Sequence, residues 1–252
     1  MSSMEVNDRL VGVGRVCSPW RDTHDIPLQG GPAAIEIDPR YEVAIEGIER
    51  ASHLVVIAYL HRADRSVLRA SPKKLKIDAP PCGVFATRSP ARPNPLSLTM
   101  VELVRREGLM LHVSPLDLLD GTPVVDLKTY SPGWDNVFAA HATRRVPSNQ
   151  LPDSLLIPFL QRDLRNHLGD LASVRRAQAA LEAMVRVVRS LNTDPRDPEL
   201  RVEINGCDIA TDALMAMTGA SFASGRIAVR LGDEPRWARF YVGDRQHTET
   251  IE

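Results

Sequence analysis

The chain has 252 residues, 43% hydrophobic and 25% charged, with a formal net charge of −1. That is the composition of a soluble globular protein of one large or two ordinary domains. It excludes a globally basic nucleic-acid binder, though not a local basic patch, and the longest strongly apolar run, residues 54–60, is too short to span a bilayer.

The first ten residues, MSSMEVNDRL, lack a basic segment followed by an apolar one, so no signal peptide is expected. LVGVGRV (10–16) and AIEID (34–38) alternate with period two, and HLVVIAYL (53–60) is a continuous apolar run of strand length. GVFAT, TMVELV, MLHVSPL and PVVDLKTY follow, with one short helical candidate at 41–49. About seven short strands with turn chemistry between them predict a β-sandwich or barrel. RRVPSNQLPDS reads as a linker. Beyond it Leu171, Val174, Leu181, Met184, Val188 and Leu191 share one helical face. A second helix is expected from an N-cap at Asp208 to a C-cap at Gly219. RIAVRL and ARFYV, joined by GDEPRW, read as a hairpin. The predicted organisation is a mainly β domain at 1–146 and a smaller α+β domain at 150–252.

Cys17, Cys82 and Cys207 are widely spaced and odd in number, which argues against a disulfide framework or a CxxC zinc site and predicts a reduced, cytoplasmic setting. In GVFATRSPARPNPLSL (83–98), Pro90, Pro93 and Pro95 fix the backbone around Arg88 and Arg92. Such a loop loses little entropy on binding. Its two guanidinium forks suit carboxylate or phosphate, and Asn94 adds a donor and an acceptor. The same residues equally describe a stiff connection with solvated or paired arginines. In LDLLDGTPVVDLK (116–128), Asp117, Asp120 and Asp126 could bind ribose hydroxyls or an ammonium group, or serve as a base; the alternative is a hairpin with Asp120-Gly121 at its tip. His61 closes an apolar strand and has a structural reading of its own. HRADRSVLRASPKKLKID (61–78) places Arg62, Arg65, Arg69, Lys73, Lys74 and Lys76 against Asp64 and Asp78, a stripe suited to phosphates or an ordinary solvated face. Gly12 and Gly14 lack the third glycine of a dinucleotide fingerprint, and no P-loop, HExxH or GxSxG is present.

CSPWRDTHDIPLQGG, IEGIERASHLVVIAYLH, GVFATRSPARPNPLSL and LDLLDGTPVVDLKTYSP, in this order, resemble the TrmO-like tRNA methyltransferases. The resemblance implies a small antiparallel β-barrel that forms a homodimer. It implies S-adenosylmethionine bound near the subunit interface, and methylation of N6 of threonylcarbamoyladenosine beside the anticodon of tRNA. Carried over residue by residue, it assigns Pro27, Leu28, Gln29, His61, Arg62, Arg88, Leu98 and Ser114, Pro115, Leu116, Asp117 to the donor pocket. This chain departs from the family pattern at Leu28 (usually arginine), Arg62 (usually glutamine) and Ser97 (often glycine). With the donor placed there, Arg92, Asn94, Lys73, Lys74 and Lys76 become candidate RNA contacts. The acceptor nitrogen is urea-like and a poor nucleophile, so a base is wanted; Asp120 and Tyr130 are the candidates.

CDIATDALMAMTGASFASGRIAV resembles the FmdE-like domain, named for a formylmethanofuran dehydrogenase subunit. The cysteines of that family's metal motifs are missing, with NHLGD and TGAS in their regions. Cys207 and His167 are too few for a tight site, so no tightly bound metal is expected. Besides an RNA methyltransferase, a donor-binding regulatory or scaffold protein and a small-molecule methyltransferase fit the sequence.

Overall fold

The computed structural model describes residues 10–72, 79–137, 146–232 and 236–251. The chain divides into two compact units, Met1–His141 and Ala142–Glu252.

The first unit carries β1 (Gly14–Cys17), β2 (Gly31–Ile37), β3 (His53–Tyr59), β4 (Arg69–Ala70), β5 (Cys82–Gly83), β6 (Leu96–Glu107), β7 (Met110–Leu116) and β8 (Pro123–Thr129). Six of them close a barrel in the order β1-β2-β7-β6-β3-β8, each neighbouring pair antiparallel. Period-two alternation turns Val16, Ile35, Ile37, Leu54, Val56, Ala58, Val101, Leu111, Val113 and Val124 inward as one apolar core. Closure leaves no long edge strand exposed.

GVFAT, expected as a seventh strand, is not one. Only Cys82–Gly83 pairs, with Arg69–Ala70, and Val84–Ala86 is a 3-10 turn. The Arg92 guanidinium draws the carbonyls of Val84 and Thr87 toward itself, which removes them from any ladder. The helical candidate at 41–49 is a pair of 3-10 turns, Pro39–Ile45 and Ile48–Arg50, separated by Gly47 at φ +77°.

Asp38 caps the first turn by accepting from the Arg40 amide at 3.0 Å and from its guanidinium at 2.8 Å. Those bonds hold its carboxyl down to about 2, against an ordinary 3.8. A depressed carboxyl contributes stability above its unfolded value and loses it as pH falls through the folded one. Carboxyl-carbon NMR is therefore expected to give Asp38 a midpoint near 2. Arg40→Gln should move that midpoint up toward the ordinary value.

The second unit holds α2 (Asp153–Leu168), α3 (Arg175–Ser190), β9 (Arg201–Asn205), α4 (Ile209–Thr218), β10 (Ile227–Arg230), β11 (Trp237–Val242) and β12 (Arg245–Thr250); the short α1 (Pro132–Asp135) precedes it. Asp208 accepts from the Ala210 amide, and Gly219 ends α4 at φ +63°, as the sequence predicts. α2 begins at the end of the predicted linker and is not anticipated by the sequence reading: its buried face is Leu156, Leu160 and Leu164, masked in the sequence by Pro152 and Pro158. The sheet order is β10-β9-β11-β12. The expected hairpin is thus wrong, because β9 lies between its two strands and pairs parallel with β10 and antiparallel with β11. The hairpin partner of β11 is β12 across Gly243; β12 is too polar to read as a strand.

Candidate methyl-donor site at one barrel end

The antiparallel registers gather the ends of β1, β3 and β7 and the starts of β2, β6 and β8 at one barrel mouth. The connections 18–30, 60–95 and 117–122 leave from there. They carry Pro27, Leu28, Gln29, His61, Arg62, Arg88 and Asp117 of the residues that the resemblance assigns to the donor; Leu98 lies near the start of β6, and Ser114, Pro115 and Leu116 at the end of β7.

Pro27, Leu28 and Gln29 form a tight turn closed by the Gly30 amide donating to the Pro27 carbonyl at 3.0 Å. The turn lies directly on the Leu116–Asp117 peptide. Gly30 has φ +71°, and a Cβ there would sit 2.6 Å from the Leu116 oxygen, so only glycine allows this approach. Gly31 pairs with Leu116, and Ser114–Pro115 is a cis peptide. Asp117 is exposed and accepts from the Thr99 hydroxyl at 3.2 Å, beside the half-exposed Leu98. The Gln29 Nε2 atom is buried without a hydrogen-bond partner. A buried amide left unmatched costs free energy, which a ligand acceptor would recover.

A second set of contacts ties the CSPWRD segment down. Asp120 accepts from the Ser18 amide at 3.1 Å and from the Arg21 guanidinium. The Asp120 amide donates to the Trp20 carbonyl at 2.9 Å, and the Ser18 hydroxyl to the Leu118 carbonyl at 2.9 Å. Trp20, Ile26 and Leu119 form a small apolar cluster beneath. Both carboxylate oxygens of Asp120 are therefore engaged in holding two loops together. Arg62, unusual for the family, donates to the Arg21 carbonyl at 3.1 Å. The Leu60 amide donates to the Pro95 carbonyl at 2.8 Å, and Arg65 to the Pro93 carbonyl at 2.9 Å. His61 is thereby placed beside the proline-rich loop. Arg21 lies in the CSPWRD motif and Arg65 in the basic stripe, but the sequence assigns neither to the site; the short bonds that bring them there span 99 and 28 residues.

The two loop arginines have different places. Arg92 turns inward, donating to the carbonyls of Ser89 at 2.8 Å, Val84 at 3.0 Å and Thr87 at 2.6 Å. Arg88 is exposed and has no hydrogen bond or ion pair among the described residues. Asn94 is exposed, with its carbonyl accepting from Leu96 at 2.8 Å. Ser97 donates weakly to the Ala58 carbonyl at 3.4 Å.

Tyr130 is not brought to this mouth. Its amide donates to the His53 carbonyl at the opposite end of β3, roughly 25 Å from His61 at a strand rise of about 3.3 Å per residue. That end also holds a cavity of about 230 Å³ lined by Val13, Ile37, Tyr41, Gly47, Asp126 and Lys128, among others. Asp126 is ion-paired to Lys128 at 2.8 Å. Lys73, Lys74 and Lys76 lie outside the described residues. Among the described residues, no three His, Cys, Asp or Glu side chains are grouped as metal ligands, and no helix is long and apolar enough to cross a membrane.

Residues 15–136 match the tRNA-methyltransferase O N-terminal domain. A probable S-adenosyl-L-methionine-binding protein of Methanothermobacter thermautotrophicus is 44% identical over 141 residues, 54% of this chain and 98% of that protein. One of the same description from Archaeoglobus fulgidus is 37% identical over 229 residues, 88% of this chain, and so extends into the second unit. This chain spans 60% of that relative's length. A mouse tRNA (adenine(37)-N6)-methyltransferase is 35% identical over 95 residues, 38% of this chain and 22% of the enzyme. The barrel, its loop motifs and these matches agree: the chain belongs to the family defined by the tRNA-methyltransferase O N-terminal domain.

Proposed function

We propose that this chain is a cytoplasmic S-adenosylmethionine-dependent methyltransferase that modifies N6 of threonylcarbamoyladenosine in tRNA. The observation that carries the reading is the buried, unpartnered amide of Gln29, in a turn seated on Leu116–Asp117. The residues at this mouth fit the donor. Arg88 offers an unpaired cation for its carboxylate, Asp117 an exposed anion for its ammonium group, and Gln29 a donor for a base or ribose acceptor. Pro27, Leu28, His61, Arg62, Leu98, Ser114 and Pro115 would supply the walls, and Leu116, whose side chain lies in the barrel core, would contribute its backbone. When bound, the donor brings a methyl group on a sulfonium. The protein's task is then in-line positioning.

Arg92 shapes the loop that presents Arg88, and Asn94 with Lys73, Lys74 and Lys76 would face RNA. Asp120 serves as a positioning residue, since both its oxygens are occupied. Tyr130 can act as base only if a second copy brings it to the donor. A homodimer is part of the reading: the outward face of β6 exposes Leu96 (37%), Leu98 (48%), Met100 (44%) and Val104 (53%), an apolar stripe that runs up to the donor site.

The test is mass-spectrometric nucleoside analysis of tRNA from cells with and without the gene, followed by methyl transfer with the purified chain. Loss of one methyl group from threonylcarbamoyladenosine in the deletion, restored by the purified protein, is expected. Donor binding with unaltered tRNA would replace this reading with a donor-binding regulatory protein, or with a methyltransferase for a small molecule.

A further inference from the structure

The four-stranded sheet of the second unit has two unlike faces. Val202, Ile204, Ala238, Phe240 and Val242 are buried on one. The intervening residues Trp237, Arg239 and Tyr241 of β11 line the other, with Arg201 and Glu203 of β9 and Arg230 of β10. Arg239 stands directly opposite Glu203, and Tyr241 opposite Arg201.

We infer that this face is a stacking platform for single-stranded RNA. Trp237, Arg239 and Tyr241 follow one another at every second residue of one strand, about 7 Å apart at the usual rise. The Arg239 guanidinium lies over the Trp237 ring, 5.0 Å from its centre, so that ring and cation are stacked as one unit. Bases stack on aromatic rings and on guanidinium planes with little regard to sequence.

Charge favours the same occupant. Among the described residues, Arg201, Arg230 and Arg239 face the one carboxylate, Glu203. Burial opposes ionisation of Glu203, but hydrogen bonds from Arg230 and from the Tyr241 hydroxyl outweigh it, and the carboxyl is held below its ordinary value. The bond from the Tyr241 hydroxyl, at 3.0 Å, also tethers that side chain to Glu203. Arg201 is exposed and has no partner among the described residues, which leaves a free cation for phosphate. A sheet face that served only to meet water would not need a tryptophan, a stacked arginine and a tethered tyrosine in line.

The choice of RNA over DNA rests on the proposed activity; the platform itself does not. The test measures binding of the full chain to a fluorescein-labelled, mixed-sequence single-stranded oligoribonucleotide by fluorescence anisotropy, with the matching duplex as a second probe. Trp237→Leu should weaken single-strand binding about five- to a hundredfold. Arg201→Gln, at an exposed position that the fold does not need, should lower the salt slope by about 0.7, the value for one phosphate contact to a single strand. Methyl-donor binding, measured by calorimetry, should be unchanged in both. Unchanged RNA affinity in both variants, or equal affinity for duplex and single strand, overturns the platform. A parent chain that methylates no tRNA but binds single strands through Trp237 would refute the proposed activity and leave the platform standing.

Discussion

Arg88→Ala is expected to bind S-adenosylmethionine about ten- to a hundredfold more weakly than the parent chain, the loss typical of one charge-assisted contact. The residue is exposed and has no side-chain partner among the described residues, so its removal should leave the melting temperature unchanged. Arg92→Ala makes the contrast. It releases three backbone carbonyls and lets the loop sample other shapes. Donor affinity should fall there too, but with faster proteolysis between residues 84 and 95. Calorimetry on both variants, with limited proteolysis, separates the contacting arginine from the shaping one. Unaltered affinity in a folded Arg88→Ala protein would remove Arg88 from the site.

Gly30→Ala should do more damage than either. The left-handed backbone alone costs about 1–3 kcal/mol for a residue with a Cβ. Beyond that, the methyl group would meet backbone atoms 2.6–2.7 Å away, where no flexible side chain can yield. The PLQGG turn must lift off Leu116, and Gln29 leaves its buried position. A fall in melting temperature of about 10 °C is expected from a cost near 3 kcal/mol, together with loss of donor binding. Calorimetric scanning and titration of the same preparation measure both. A variant that melts and binds like the parent would show that the turn does not depend on this approach.

The barrel strands are legible because burial on one side and solvent on the other impose period two on Val16, Ile35, Ile37, Leu111 and Val113, and because the apolar run of β3 has strand length. The helix α4 is legible because Asp208 and Gly219 satisfy backbone groups at its ends. GVFAT misleads because its composition is that of a strand, whereas its geometry is decided by Arg92, eight residues from Val84. β12 misleads in the opposite sense: Arg245 to Thr250 carries polar side chains on both faces, and its pairing with β11 comes from the turn at Gly243 rather than from an apolar pattern. At the candidate site, the motifs locate the loops but not the bonds between them. The Asp120–Arg21 contact and the Arg62 bond to the Arg21 carbonyl join segments far apart in the chain, and nothing local marks them. The separation of Tyr130 from the other candidates follows only from strand register.

The outward stripe of β6 and the donor loops share residues: Leu96 and Leu98 are exposed on the one and border the other. Self-association and donor binding on this surface would then draw on a common free energy. If the second copy completes the donor site, as the proposed homodimer implies, linkage makes each strengthen the other by the same factor. Specific activity should consequently depend on enzyme concentration, falling on dilution and recovering when donor is raised to saturation. Leu98→Asp should make the activity second order in protein over a range where the parent chain is first order. A cell could then set the rate of modification through the abundance of this chain more steeply than in proportion.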